Sequence, residues 1–131
     1  MCFYPKYFTL SEMTHTDTGL NNSLATWLHL KNILNTAFYL DIIRAKYGDA
    51  ITVDSGYRTP EVNERINGSK TSEHMLGNAA DLKCNDIKKL ISVIDSIMAN
   101  KALPIDQLII HTTFVHVGFA SVNPRFQRMV K

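Results

Sequence analysis

The chain has 131 residues, of which 45% are hydrophobic and 20% are charged, and this composition predicts one soluble globular domain spanning residues 1–131. The formal net charge is only +2 and no run of Lys or Arg is present, so nucleic acid is not an expected partner. No apolar run approaches the roughly 20 residues that a transmembrane helix needs.

Helices and short strands are predicted to alternate along this domain. Residues 1–19 are polar and are expected to form an irregular N-terminal arm, followed by a catalytic core over about 20–120. A helix is predicted over residues 24–47, with Asn22 and Ser23 as its N-cap and Gly48 as its stop. Its apolar residues near the helical period are Leu24, Leu28, Ile33, Leu34, Phe38, Ile42 and Ile43.

The remaining pattern predicts a second helix packed with a small sheet. The predicted elements are a strand at 51–54, a short helix at 60–66, an ordered loop at 67–77, a strand at 79–82, a helix at 86–100, and a hairpin of strands at 106–111 and 114–119. Two helices on a small, largely antiparallel sheet constitute an α+β fold.

The cysteine content and the N-terminus bear on where the protein is made. Two distant cysteines, Cys2 and Cys84, exclude a disulfide-dense scaffold and a cysteine-rich zinc cluster, and two free thiols are expected rather than a Cys2–Cys84 bridge. The N-terminus lacks the apolar segment and cleavage site of a signal peptide. We therefore expect the chain to be made and held in the cytoplasm, so that a substrate beyond the membrane would require delivery by another factor.

Two potential metal ligands stand seven residues apart in the segment GSKTSEHMLGNAAD, which contains His74 and Asp81. Zinc in hydrolases commonly takes three protein ligands from His, Asp and Glu and leaves a fourth position for water. His116, in the strand-like segment FVHVGF, is a candidate for the third. A single strand histidine is more often a hydrogen-bonded core residue, so spacing alone leaves both interpretations open.

Three blocks of the sequence together resemble the peptidase M15 family of zinc D-alanyl-D-alanine carboxypeptidases and phage peptidoglycan peptidases. SEHMLGNAAD matches the motif S-x-H-x-x-G-x-A-x-D, DSGYRTPEVNERINGSKTS is similar to the family's S-G-[YF]-R-[ST] segment, and IDQLIIHTTFVHVGF is similar to its closing strand. The blocks occur in family order from Asp54 to Phe119. The resemblance implies the α+β fold that these peptidases share with the Hedgehog signalling domain.

The resemblance also implies a role for each matching residue. His74, Asp81 and His116 are expected to bind one Zn²⁺ ion. Arg58 is expected to line the site and to stabilise negative charge on the substrate carbonyl or terminal carboxylate, and Ser72 to hydrogen-bond the substrate. The alternatives are a surface arginine that holds its loop through a salt bridge and an ordinary loop-stabilising hydroxyl. The small residues Gly77, Ala79 and Ala80 are expected to leave room around the metal and its ligand segments, and close backbone packing is the alternative reason for them.

One departure from the family pattern concerns the general base. Many members place a carboxylate shortly before the final histidine, whereas residues 110–115 of this chain contain neither Asp nor Glu. His111 is the nearest titratable group and is a candidate for the base or a transition-state donor, because histidine titrates near neutrality. Asp54 and Glu73 are weaker candidates.

These residues predict a zinc metallopeptidase that hydrolyses D-amino-acid-containing bonds in peptidoglycan stem peptides, as a carboxypeptidase or an endopeptidase. A monomeric phage lysis enzyme released to the cell wall by a holin-type membrane protein is one setting, and a cytoplasmic bacterial enzyme is another. The missing carboxylate favours the alternative of a non-catalytic cell-wall peptide-binding module. A small cytoplasmic D,D-dipeptidase is a third possibility.

Overall fold

The structure is a computed structural model that describes residues 4–131. These residues form one small α+β domain with four helices and a five-stranded sheet. The helices are α1 (Leu10–Met13), α2 (Trp27–Tyr47), α3 (Pro60–Arg65) and α4 (Ile87–Asn100); the strands are β1 (Ile51–Ser55), β2 (Ala79–Cys84), β3 (Ile105–Ile110), β4 (Val115–Phe119) and β5 (Gln127–Val130). The predicted strands, α3 and α4 are therefore confirmed, with ends displaced by one or two residues.

The sheet has the strand order β1-β2-β4-β3-β5. All neighbouring strands are antiparallel except β3 and β5, which are parallel, so the sheet is largely antiparallel as predicted. The predicted β3–β4 hairpin is present, but its loop is longer than two residues because His111 leaves the strand and its N–H donates to the Phe114 carbonyl at 3.0 Å. β5 was not predicted.

Helix α2 begins later than predicted, and its buried face differs from the predicted one. Thr26, rather than Asn22 or Ser23, is the N-cap, because its side chain accepts the His29 N–H, while Gly48 ends the helix with a φ of +84° as expected. Leu28 is 57% exposed, and Phe38 and Ile42 also lie on the outer side. The residues that α2 buries are Ile33, Thr36, Ala37, Leu40, Ile43 and Tyr47.

The buried face of α2 is selected by contacts that the apolar pattern does not encode. Thr36 lies inside because its hydroxyl donates to the Gly77 carbonyl at 2.7 Å, beside the segment that carries His74. The predicted helix at 86–100 is present as α4, and it buries Leu90, Ile94 and Ile97. The two helices contact each other and pack against the same core.

The N-terminal segment is more ordered than the irregular arm that its polarity predicts. Thr9 and Glu12 form a capping box for α1. Phe8 and Met13 are fully buried, and the Met13 carbonyl accepts the Tyr57 N–H at 2.7 Å. The arm therefore braces the loop after β1 from which Arg58 projects.

Two further sequence predictions concern the cysteines and the membrane. Cys84 is half-buried at the edge of the core. Cys2 lies outside the described residues, so the state of the pair stays a prediction. Within residues 4–131, no helix is both long enough and apolar enough to cross a membrane.

Candidate metal centre

Three separate elements bring the predicted ligands together. His74 lies on a 3₁₀ turn over Glu73–Leu76, Asp81 on β2 and His116 on β4. Asp81 and His116 are direct partners in the antiparallel register, which places their side chains next to each other. The 3₁₀ turn is capped by the Ser72 side chain, which accepts the His74 N–H at 3.2 Å. The fold thus converts a sequence separation of 42 residues into direct contact.

The three potential ligand atoms form a nearly equilateral triangle. Nε2 of His74 lies 3.2 Å from Oδ1 of Asp81 and 3.1 Å from Nδ1 of His116, and the latter two atoms are 3.1 Å apart. A tetrahedral zinc ion with bonds of about 2.0–2.1 Å separates its ligands by about 3.3 Å. Two imidazole nitrogens and one carboxylate oxygen therefore have the chemistry and spacing of a zinc site with one open position.

The hydrogen bonding of His74 favours a cation in this triangle. Nδ1 of His74 lies 2.6 Å from the Gly56 carbonyl, so it must carry the proton and donate it. A neutral His74 then presents only a lone pair at Nε2, and this lone pair faces an oxygen of Asp81 that can only accept. Metal-binding histidines commonly make this second hydrogen bond, because it fixes the ring and its tautomer.

Burial and neighbouring groups set the protonation states that metal binding requires. Burial lowers the pKa of His74 and so favours the neutral ring. Burial alone would raise the pKa of Asp81, but the adjacent imidazoles of His116 and His74 hold it well below its usual range. At neutral pH the carboxylate is ionised, as a metal ligand must be.

Arg58 contacts the second oxygen of the ligand carboxylate. Its Nη2 donates to Oδ2 of Asp81 at 3.0 Å, its Nε to Ser55 at 2.9 Å and its Nη1 to Asn63 at 3.2 Å. The side chain is buried, and burial lowers the pKa of the guanidinium while Asp81 opposes that shift. Arg58 lines the cavity, and its donors serve the potential metal ligand Asp81 and not a surface salt bridge.

Asn63 is a site residue that the sequence reasoning missed. It is buried on α3, where its Oδ1 accepts from Arg58 and its Nδ2 donates to the Ser69 carbonyl at 2.9 Å. A Cβ at Gly68 would overlap the Asn63 amide, which explains why a glycine stands there. Asn63 therefore joins α3 and the 67–77 loop to the arginine. A polar residue on a helix predicted only from Pro60 and Glu61 gave no signal of this role.

A cavity of about 460 Å³ opens above the triangle. His111 and Ser72 both line it, so the structure brings the two predicted accessory residues to the site. The His111 ring stacks on Phe114, with the ring centres 4.2 Å apart. The roles of His111 and Ser72 as proton carrier and substrate ligand stay predictions.

The two weaker base candidates are placed differently. Asp54 pairs with Lys83 at 3.5 Å and does not line this cavity. Glu73 does line it, and burial raises the pKa of its carboxyl to about 7. Oε1 of Glu73 is buried and has no hydrogen-bond partner among the described residues. A carboxylate thus reaches the cavity from the segment before His74, and not from residues 110–115.

For Gly77, one of the small residues near the potential ligands, the structure favours close packing against α2 over crowding of the metal. Gly77 has a φ of +82°, and a Cβ there would lie 2.8 Å from Cγ1 of Ile33 and 3.2 Å from the His29 carbonyl on α2. The glycine therefore allows the 3₁₀ turn to end against α2, and crowding of the metal is not the first consequence of a larger residue. Ala79 and Ala80 are fully buried in β2.

Comparison with known proteins agrees with this geometry. The sequence matches the family described as Peptidase M15 over residues 6–118, which includes all three potential ligands. It is also 32% identical over 80 residues to a protein named zinc D-Ala-D-Ala carboxypeptidase from Streptomyces albus G. That match covers 60% of this chain and 31% of the relative, so the chain spans about a third of the relative's length. Family and relative both indicate a zinc peptidase, and the chain belongs to the peptidase M15 family.

Proposed function

We propose that this protein is a zinc-dependent peptidase that hydrolyses bonds involving D-amino acids in bacterial peptidoglycan stem peptides. The observation that carries the proposal is the triangle of His74, Asp81 and His116 ligand atoms, 3.1–3.2 Å apart at the base of an open cavity. The D-amino-acid bond is suggested by the name of the Streptomyces albus G relative, and the peptidoglycan stem by the resemblance of the sequence motifs to the peptidase M15 family.

The residues around the cavity have distinct parts in this proposal. His74, Asp81 and His116 would hold one zinc ion, which supplies a Lewis acid that polarises a carbonyl and lowers the pKa of water. Arg58 fixes the carboxylate of Asp81 and brings a positive charge beside the reacting carbonyl, where negative charge develops. His111 would exchange a proton with the reacting groups, and Ser72 would hydrogen-bond the peptide.

The direct test is mass spectrometry of purified muropeptides after incubation with the zinc-loaded protein. We expect a product whose mass identifies the lost residue or the split crosslink, and no product in the presence of a chelator or with His116→Ala. His15→Ala is the matched control, because His15 is an exposed histidine that pairs with Asp17 and does not line this cavity. Unchanged muropeptides with zinc bound would contradict the proposal.

The binding-module alternative keeps one observation in its favour, which is the absence of Asp and Glu from residues 110–115. Such a module would retain zinc and bind the peptide without turnover. Glu73, which lines the cavity, lessens the force of this observation. The D,D-dipeptidase alternative predicts cleavage of free dipeptide with no change to intact muropeptides, so the same mass measurement separates all three.

The biological setting forms the rest of the proposal. We propose the fold of the DD-peptidases and the Hedgehog signalling domain, a monomeric protein with its catalytic core over about 20–120, and synthesis in the cytoplasm. In a phage, a holin-type partner would release it to the cell wall. Co-expression with and without a holin, followed by measurement of cell lysis, tests this setting.

A further inference from the structure

The cavity extends beyond the metal ligands to the edge of the sheet formed by β3 and β5. Gln107 and Ile109 of β3 and Met129 of β5 line this extension, together with Arg125 and Lys131, which flank β5. The cavity lining in this part thus carries two cations that the site described above does not use.

Arg125 is held in place by one buried carboxylate. Its backbone N–H donates to Oδ1 of Asp106 at 2.9 Å, its Nε lies 3.1 Å from the same oxygen, and its Nη2 donates to Oδ2 at 2.8 Å. Asp106 is 7% exposed, whereas the Arg125 side chain is 57% exposed. The arginine is therefore held by the buried Asp106 carboxylate, while its side chain is exposed to the cavity.

The hydrogen bonds to Asp106 use only one edge of the guanidinium. A guanidinium has five N–H groups, and the pairing through Nε and Nη2 leaves the edge between Nη1 and Nη2. Within residues 4–131 this second edge of Arg125 has no hydrogen-bond acceptor. Two parallel N–H groups at this spacing match the two oxygens of a carboxylate, and the anchor reduces the entropy lost when they bind one.

Arg58 is less suited to bind a free carboxylate. It is 9% exposed, and donors on all three of its nitrogens already serve Ser55, Asn63 and Asp81. A substrate carboxylate at Arg58 would also approach the ionised Asp81. The charge of Asp106 is already matched by its ion pair with Arg125, and Lys131 adds a positive charge to this part of the cavity, which the Glu73 carboxyl also lines.

We propose that Arg125 is a specificity residue that binds a carboxylate of the peptide through its free guanidinium edge, with Lys131 adding positive charge. This inference rests on the proposed function, and it narrows the substrate class to peptides with a free carboxylate a short distance from the scissile bond. The carboxylate can be the C-terminal one or an internal side-chain group, and both have the chemistry that Arg125 recognises.

The test compares three N-acylated D-Ala-D-Ala-containing peptides: one with a free C-terminus, its C-terminal amide, and an amide that carries an internal D-Glu side chain. The values of kcat and KM are measured with zinc-loaded protein, and a peptide that is not cleaved is measured as a competitive inhibitor. The variants are Arg125→Gln and Arg125→Lys. Arg128→Gln is the matched control, since Arg128 pairs with Asp95 through Nε and Nη2 in the same way but outside the cavity.

We expect the wild-type protein to prefer one acid over the plain amide, and Arg125→Gln to reduce that preference about ten- to a hundredfold, mainly through KM. Arg125→Lys keeps the positive charge but loses the two parallel N–H donors, so it should reduce the acid-over-amide preference less. Arg128→Gln should leave this preference unchanged. Whichever acid is preferred identifies the source of the carboxylate.

An acid-to-amide ratio that is the same in wild type and in both Arg125 variants would overturn the inference, as would a wild-type protein with no preference. If the wild-type protein cleaves none of the peptides, their affinities are measured by calorimetry on the zinc-loaded protein. If an acid then binds preferentially and Arg125→Gln loses that preference, the carboxylate subsite at Arg125 stands and only the proposed peptidase activity is contradicted.

Discussion

Replacement of Arg58 by Ala separates two roles for this residue, orientation of a metal ligand and binding of substrate. The side chain is 9% exposed and donates to Ser55, Asn63 and Asp81. Truncation removes all three hydrogen bonds and leaves the buried carboxylate of Asp81 without its cationic partner. If Arg58 orients Asp81, both stability and zinc affinity must fall.

The expected size of the loss follows from the burial of the pair. Removal of one partner of a buried ion pair costs about 3–5 kcal/mol, because the other charge is left uncompensated. We expect Arg58→Ala to lower the free energy of unfolding of the metal-free protein by about this amount. Loss of a residue that orients a metal ligand typically weakens metal binding about 10–100-fold.

Urea unfolding of the metal-free protein and competitive zinc titration measure the two quantities. Arg65→Ala is the matched control, because Arg65 lies exposed at the end of α3 and should change the unfolding free energy by less than about 0.5 kcal/mol. An Arg58→Ala protein with normal stability and normal zinc affinity, but a raised KM, would refute the orienting role and leave only substrate binding.

Three further perturbations test other parts of the site. Gly77→Ala should destabilise the protein by about 2–4 kcal/mol in urea unfolding, because a residue with left-handed backbone gains a Cβ that overlaps α2. Gly48 has a similar φ and nothing within 4 Å of such a Cβ, so Gly48→Ala should lose only the free energy due to backbone strain. Equal losses in the two variants would contradict the overlap at Gly77. Asn63→Ala should lower the free energy of unfolding by about 2–3 kcal/mol, because it leaves a donor of Arg58 and the Ser69 carbonyl unpaired. Normal stability with normal zinc affinity would show that Asn63 supports neither the position of Arg58 nor the 67–77 loop. Hydrogen bonds from Arg125 hold the pKa of Asp106 below its usual value, so the stability that this carboxylate contributes is present above pH 3.8 and is lost as the pH falls through the folded-state pKa. The difference in Tm between wild type and Asp106→Asn should therefore shrink between pH 7 and pH 3, and a constant difference would contradict the pairing.

The three potential metal ligands could be picked out from the sequence because they lie in short motifs whose residue types and order are both restricted. His74 and Asp81 flank a glycine that ends the 3₁₀ turn, and His116 occupies a strand that pairs with β2. The sequence thus specified which side chains meet. The contact of Arg58 with Asp81 was not predictable, because it depends on the loop geometry after β1.

Long-range contacts also account for what the sequence did not predict. The outer position of Leu28 and the inner position of Thr36 depend on the Gly77 carbonyl, which is 41 residues away from Thr36 along the chain. β5 has four residues, too few for a reliable alternating pattern, and the segment before it is joined to β3 by hydrogen bonds from Arg125 to Asp106. Tertiary hydrogen bonds outweigh local propensity in both places.

Zinc stoichiometry of the purified protein tests the central claim most directly. We predict that wild-type protein and the His15→Ala control each retain about one equivalent of zinc after dialysis, and that His74→Ala and His116→Ala lose it while remaining folded. Wild-type protein without bound zinc, or His74→Ala and His116→Ala proteins that retain a full equivalent, would show that these side chains do not form the metal centre.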